Sequence, residues 1–61
     1  MSEQSRRRRA ALVVEDDDTI RSLLGDVLTM AGFETVCCAR GQAALEAMEQ
    51  QTFDVVLVDL G

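Results

Sequence analysis

Histidine and lysine are absent from this chain, and of its 61 residues only Phe33 and Phe53 are aromatic. Without histidine there are no imidazole metal ligands and no Ser-His or Cys-His nucleophile pairs. With two rings, the core must be built from Val, Leu, Ile, Ala and Met. Cysteine is confined to the neighbours Cys37 and Cys38. Adjacent strand residues point to opposite faces, so these two are poorly placed to bridge each other. They also lack the C-x-x-C spacing of a redox or zinc site. They read as small apolar strand residues of a reducing compartment. No apolar run approaches the roughly 18 residues of a membrane helix. The basic start is not followed by the apolar stretch and cleavage site of a signal peptide. A soluble cytoplasmic protein without a membrane partner is expected.

What is present fits one small domain. Hydrophobic residues make up 48% and charged residues 28%, a globular composition. Chains this short bury only about 60% of their unfolded surface and are marginal alone. The net charge of −5 is unevenly spread. Residues 1–9 carry Arg6, Arg7, Arg8 and Arg9 against Glu3 and read as a disordered basic arm. Residues 10–61 carry ten acids against Arg21 and Arg40, a net −8, which does not read as a nucleic-acid binder. Binding of nucleic acid or an acidic membrane surface by the arginine run is kept as an alternative for the arm alone.

Hydrophobic patterning gives β-α-β-α-β. Ala11–Val14 is apolar without alternation, as in a parallel strand buried on both faces. Asp18 is expected to cap the following helix. Ile20, Leu23, Leu24, Val27, Leu28 and Ala31 form one stripe at helical period, ended by Gly32. Gly25 within it costs up to about 1 kcal/mol relative to alanine. A second strand is expected from Phe33 to about Ala39. A second helix follows at Gln42–Gln51, with Ala44, Leu45 and Met48 on one face, and a third strand at Val55–Val58. Helix-linked parallel strands imply right-handed crossovers.

Two of these strands end in acids. Strand 1 runs into Glu15, Asp16, Asp17 and Asp18, and strand 3 into Asp59. In the doubly wound order 2-1-3, strands 1 and 3 are neighbours, and their carboxyl ends form the crevice where such folds bind ligands. Glu15, Asp16 and Asp59 would meet there. Like charges at one rim raise one another's proton affinity. A hard divalent cation relieves this, and Mg²⁺ needs only two carboxylates, a backbone carbonyl and water. Such a site suits a phosphoryl group, with one carboxylate as nucleophile. The bland alternative is that these acids are helix caps and solvated loop residues, a description that covers Asp17 and Asp18 in particular.

The segments Leu-Val-Val-Glu-Asp-Asp-Asp-Thr-Ile-Arg, Gly-Phe-Glu-Thr-Val, Ala-Arg-Gly-Gln-Ala-Ala-Leu-Glu-Ala-Met and Phe-Asp-Val-Val-Leu-Val-Asp-Leu occur in this order. Together they resemble the receiver domain of two-component response regulators, from about residue 10 to Gly61. The resemblance implies an α/β, flavodoxin-like fold, of which 10–61 would be the N-terminal half. It makes Asp59 the phosphoacceptor, charged by a histidine kinase or phosphotransfer protein with Mg²⁺ as cofactor. Asp16 matches the direct metal ligand, and Glu15 the other member of the acidic pair, here with a longer arm. Gly61 falls where the family offers a backbone carbonyl to the metal. An enzyme of the ordinary turnover kind is not expected.

The resemblance also implies missing parts: strands 4 and 5, helices 3 to 5, and the hydroxyl and lysine that read the phosphorylated state. Two expectations stay open. Asp59 accepts phosphate, with function impaired by truncation, or the chain is a non-phosphorylated interaction module. In either case the third strand would be an exposed edge. A homodimer ordered 2-1-3-3′-1′-2′ would cover it.

Overall fold

The computed structural model describes residues 8–59. Five elements follow one another: β1 (Ala10–Glu15), α1 (Asp18–Met30), β2 (Glu34–Cys38), α2 (Gly41–Gln50) and β3 (Val55–Asp59). The strands form one parallel sheet in the order β2-β1-β3. This is the expected β-α-β-α-β arrangement of a half flavodoxin-like fold. The anticipated basic arm lies outside the described residues except for Arg8 and Arg9, both exposed.

β1 is the centre of the sheet, as its unbroken apolar run required. Ala11, Leu12, Val13 and Val14 are all buried. Alternate residues face alternate sides. Leu12 and Val14 pack with Cys38 and Ala44, and Val36, Ala47 and Phe53 close round them. That is the α2 face. Thr35 and Cys37 face α1, where the Thr29 hydroxyl bonds that of Thr35 at 3.3 Å. Burying a Leu or Val side chain contributes about 1.5–3 kcal/mol, so the three central side chains Leu12, Val13 and Val14 dominate this small core.

The helices dock through their small residues, and this corrects two expectations. The α1 stripe does not go in whole: Ile20, Leu23 and Val27 are exposed, Leu24 and Leu28 are half-buried, and Gly25 is the residue fully buried. A Cβ at Gly25 would stand 2.9 Å from Cys37 Sγ, so the missing side chain is what lets α1 lie this close to β2. On α2, Ala44 and Ala47 face the sheet, while Leu45 and Met48 are exposed. Periodicity found the apolar arc of each helix but not its contact line, which close approach assigns to the smallest residues.

Helix termini are specified locally. Asp17, not Asp18, is the N-cap of α1, because its carboxylate accepts the Ile20 N–H at 2.9 Å while Asp18 begins the helix. At the other end Gly32 has φ +100°, a left-handed conformation natural to glycine. Gly32 N–H donates to Thr29 O and Phe33 N–H to Leu28 O, each at 3.0 Å. These bonds form the paired closure of a Schellman motif. Asp54 joins the sheet at its opposite end. Its carboxylate accepts the Ala10 N–H at 2.7 Å, and its own N–H donates to Ala10 O at 2.8 Å.

Candidate functional site: the acidic edge of the sheet

β1 and β3 run in register from Ala11↔Val55 to Glu15↔Asp59. Parallel neighbours lie about 4.8 Å apart. The terminal acids of the two strands therefore stand side by side, with Asp16 one residue further along the chain. The three acids expected to meet belong to one edge. Gly61, expected to supply a carbonyl, lies outside the described residues.

Their environments differ. Asp16 and Asp59 are exposed, whereas Glu15 is only 2% exposed. One Glu15 oxygen, Oε2, accepts the Asp17 N–H at 3.0 Å. The other, Oε1, is buried and has no hydrogen-bond partner among the described residues. A buried polar atom left unsatisfied is unfavourable, so this oxygen calls for a donor or a cation. The Asp17 hydrogen bond draws the Glu15 pKa down, but burial, the nearby Asp16 carboxyl and the charges of Asp59 and Asp16 together outweigh it. The carboxyl is held above its ordinary value of 4.5. A site that makes ionisation costly makes a counter-cation favourable.

The donor set fits Mg²⁺ on chemical grounds: hard carboxylate oxygens, one of them buried and unsatisfied. Among the described residues no group of three or more Asp, Glu, Cys or His side chains is placed so that all of them could hold one metal ion. Mg²⁺ does not demand such a group, since it usually keeps several waters and takes one or two carboxylates.

Two residues outside the acidic cluster fix the two ends of the sheet. Arg21 enters the sequence reading only as a charge, yet its guanidinium reaches back to the Glu15 carbonyl at 2.9 Å and pairs with Asp18. Asp54 ties the starts of β1 and β3 together, at the end of the sheet opposite the acids. The cysteines behave as expected of strand residues: both are free, Cys37 exposed and Cys38 buried. Desolvation raises the Cys37 thiol pKa above its usual 9.0, while Arg21 lowers it and Cys38 and Asp26 raise it. A neutral thiol of this kind is a poor nucleophile.

No helix among the described residues is long and apolar enough to cross a membrane. A search of curated proteins and a search of solved structures each found no match. A family model described as response regulator receiver domain matches residues 11–61, from the first buried residue of β1 through both acid-bearing strand ends. The match covers most of the sequence and the sheet has the order that goes with it, so the chain belongs to the response regulator receiver domain family.

Proposed function

We propose that this chain accepts a phosphoryl group on Asp59 from a histidine kinase or phosphotransfer protein, with Glu15, Asp16 and Asp59 holding Mg²⁺. Family membership supports a signalling role, since receivers act in two-component systems and generally bind Mg²⁺ at an acidic site. The observation that carries the reading is the pairing of Glu15 with Asp59, in register, beside a buried carboxylate oxygen that has no hydrogen-bond partner among the described residues. In the step, an Asp59 carboxylate oxygen attacks phosphorus, the P–N bond to the donor imidazole breaks, and the imidazole leaves with a proton from water. When bound, Mg²⁺ would offset the charge gathering on the phosphoryl oxygens. Glu15 and Asp16 would orient that charge balance, and Asp59, exposed at the strand end, is open to a protein donor. The result is a stoichiometric acyl phosphate, not metabolic turnover. A cytoplasmic setting follows from the donors named.

The test is incubation with Mg²⁺ and a small phosphodonor such as acetyl phosphate, followed by intact-mass measurement. A gain of one phosphoryl group that is absent in Asp59→Asn supports the proposal. An unmodified wild-type chain rejects it.

A second reading is favoured by the outer side of β3. Val56, Leu57 and Val58 are 42%, 39% and 60% exposed, and β3 pairs only with β1 among the described residues. An apolar strand edge of this kind is a template for strand addition. The chain would then be an interaction module that pairs β3 with the β3 of a second copy. Sedimentation showing a folded monomer at micromolar concentration would reject it.

A further inference from the structure

Arg21 is mounted on α1, yet both of its guanidinium contacts return to the segment that bears the acids. Nη1 donates to the Glu15 carbonyl at 2.9 Å. Nη2 pairs with Asp18 Oδ1. The Arg21 side chain is 22% exposed and that of Asp18 is 88% exposed, so the fork lies on the protein side of its ion pair. The stretch it bridges contains Asp16 and Asp17. Two further bonds close the same stretch: Asp17 N–H to Glu15 Oε2 at 3.0 Å, and Ile20 N–H to Asp17 Oδ1 at 2.9 Å. The Glu15 carbonyl belongs to the peptide that joins Glu15 to Asp16. Rotation of that peptide would swing Asp16 relative to Glu15 and Asp59.

We infer that Arg21 is a positioning residue for the acidic site: by holding the Glu15 carbonyl it fixes the Glu15–Asp16 peptide, and so the place of both carboxylates toward a divalent cation. This rests on the metal-assisted reading proposed above. It also runs against simple electrostatics. A guanidinium near the site repels a second cation, so the charge of Arg21 alone weakens Mg²⁺ binding. Positioning strengthens it. The two effects have opposite signs, and removal of Arg21 tells them apart. Lysine keeps the charge but lacks the planar fork that serves a carbonyl and a carboxylate together.

The experiment compares the wild-type chain with Arg21→Lys and Arg21→Gln. Mg²⁺ affinity is measured by titration calorimetry, and amide hydrogen exchange is followed without metal. Both variants are expected to bind Mg²⁺ about tenfold more weakly, the lower end of what loss of an outer-sphere orienting contact does. The Asp17 and Ile20 amides should exchange faster while those of Val13 and Val14 keep their protection. If Arg21→Gln binds Mg²⁺ as tightly as wild type or more tightly, Arg21 is only a charge and the inference is overturned. If the wild-type chain binds no Mg²⁺, the metal reading itself fails. The exchange data still decide the role of Arg21, because unchanged Asp17 and Ile20 amides reject the positioning and faster ones uphold it.

Discussion

Gly25 and Cys37 meet where α1 crosses β2, so closely that a methyl group on Gly25 would sit 2.9 Å from the Cys37 sulfur. The glycine is costly to a helix interior by itself, by up to about 1 kcal/mol relative to alanine. Gly25→Ala should nevertheless destabilise the chain, because overpacking costs about 1–3 kcal/mol when neighbours cannot move aside. In the background of Cys37→Ala the obstacle is gone, and the same substitution should become neutral or stabilising. A double-mutant cycle read by thermal denaturation checks this. Simple additivity would show that the contact is slack.

Gly32 presents a different case, since nothing lies within 4 Å of a Cβ built there and its φ is +100°. Only backbone conformation opposes a side chain. Gly32→Ala should lower stability by about 1–2 kcal/mol, the usual penalty for left-handed backbone in a residue with a Cβ. The loss should persist in a Cys37→Ala background, unlike that at Gly25.

Asp17 and Asp18 are adjacent acids with unequal roles. Asp17 accepts the Ile20 N–H, whereas Asp18 pairs with the Arg21 side chain at the surface. Asp17→Ala should cost about 1 kcal/mol as a lost N-cap, and Asp18→Ala much less, as an exposed i,i+3 pair does. Chemical denaturation of both variants measures the contrast. Equal losses would reject the assignment of the cap.

The buried carboxyl of Glu15 makes stability depend on pH. Its folded-state pKa lies above the ordinary 4.5, so the folded chain holds this proton more tightly than the unfolded chain does. The resulting stabilisation is complete below pH 4.5 and is lost as pH rises through the folded-state value. Glu15→Gln should therefore melt at a higher temperature than wild type at pH 7, with the gap closing below pH 4.5. Millimolar Mg²⁺ should narrow the gap at pH 7, because it favours the ionised form that only glutamate offers. Melting curves across pH, with and without Mg²⁺, test both parts. A gap that widens toward acid would reverse the sign of the argument.

The sheet was legible in the sequence because its signals are local and redundant. β1 is apolar without alternation, and both of its faces are covered. Asp59 ends an apolar run, and the 2-1-3 order brings it beside Glu15 in register. Helix docking was less legible. An apolar arc of Ile20, Leu23, Leu24, Val27 and Leu28 does not say which side chain touches the sheet, and the closest approach belonged to Gly25, which hydropathy scores near zero. Arg21 was hidden for another reason. Its partner is a backbone carbonyl, and a carbonyl has no letter in a sequence. The neighbouring caps also competed: two adjacent aspartates satisfy the same N-cap preference, and only the Asp17 bond to Ile20 separates them.

The pairing of β1 with β3 sets a clock for the acidic edge. Asp59 keeps its place beside Glu15 only while the last hydrogen bonds of β3 stay closed, and strand ends open far more often than whole domains unfold. The lifetime of the assembled edge is therefore the closed lifetime of Val58 and Asp59, not that of the buried core. A cation shared between the two strands would act as a staple, slowing this fraying by mass action in proportion to its occupancy. Strand dynamics and ion binding would then be two readings of a single equilibrium.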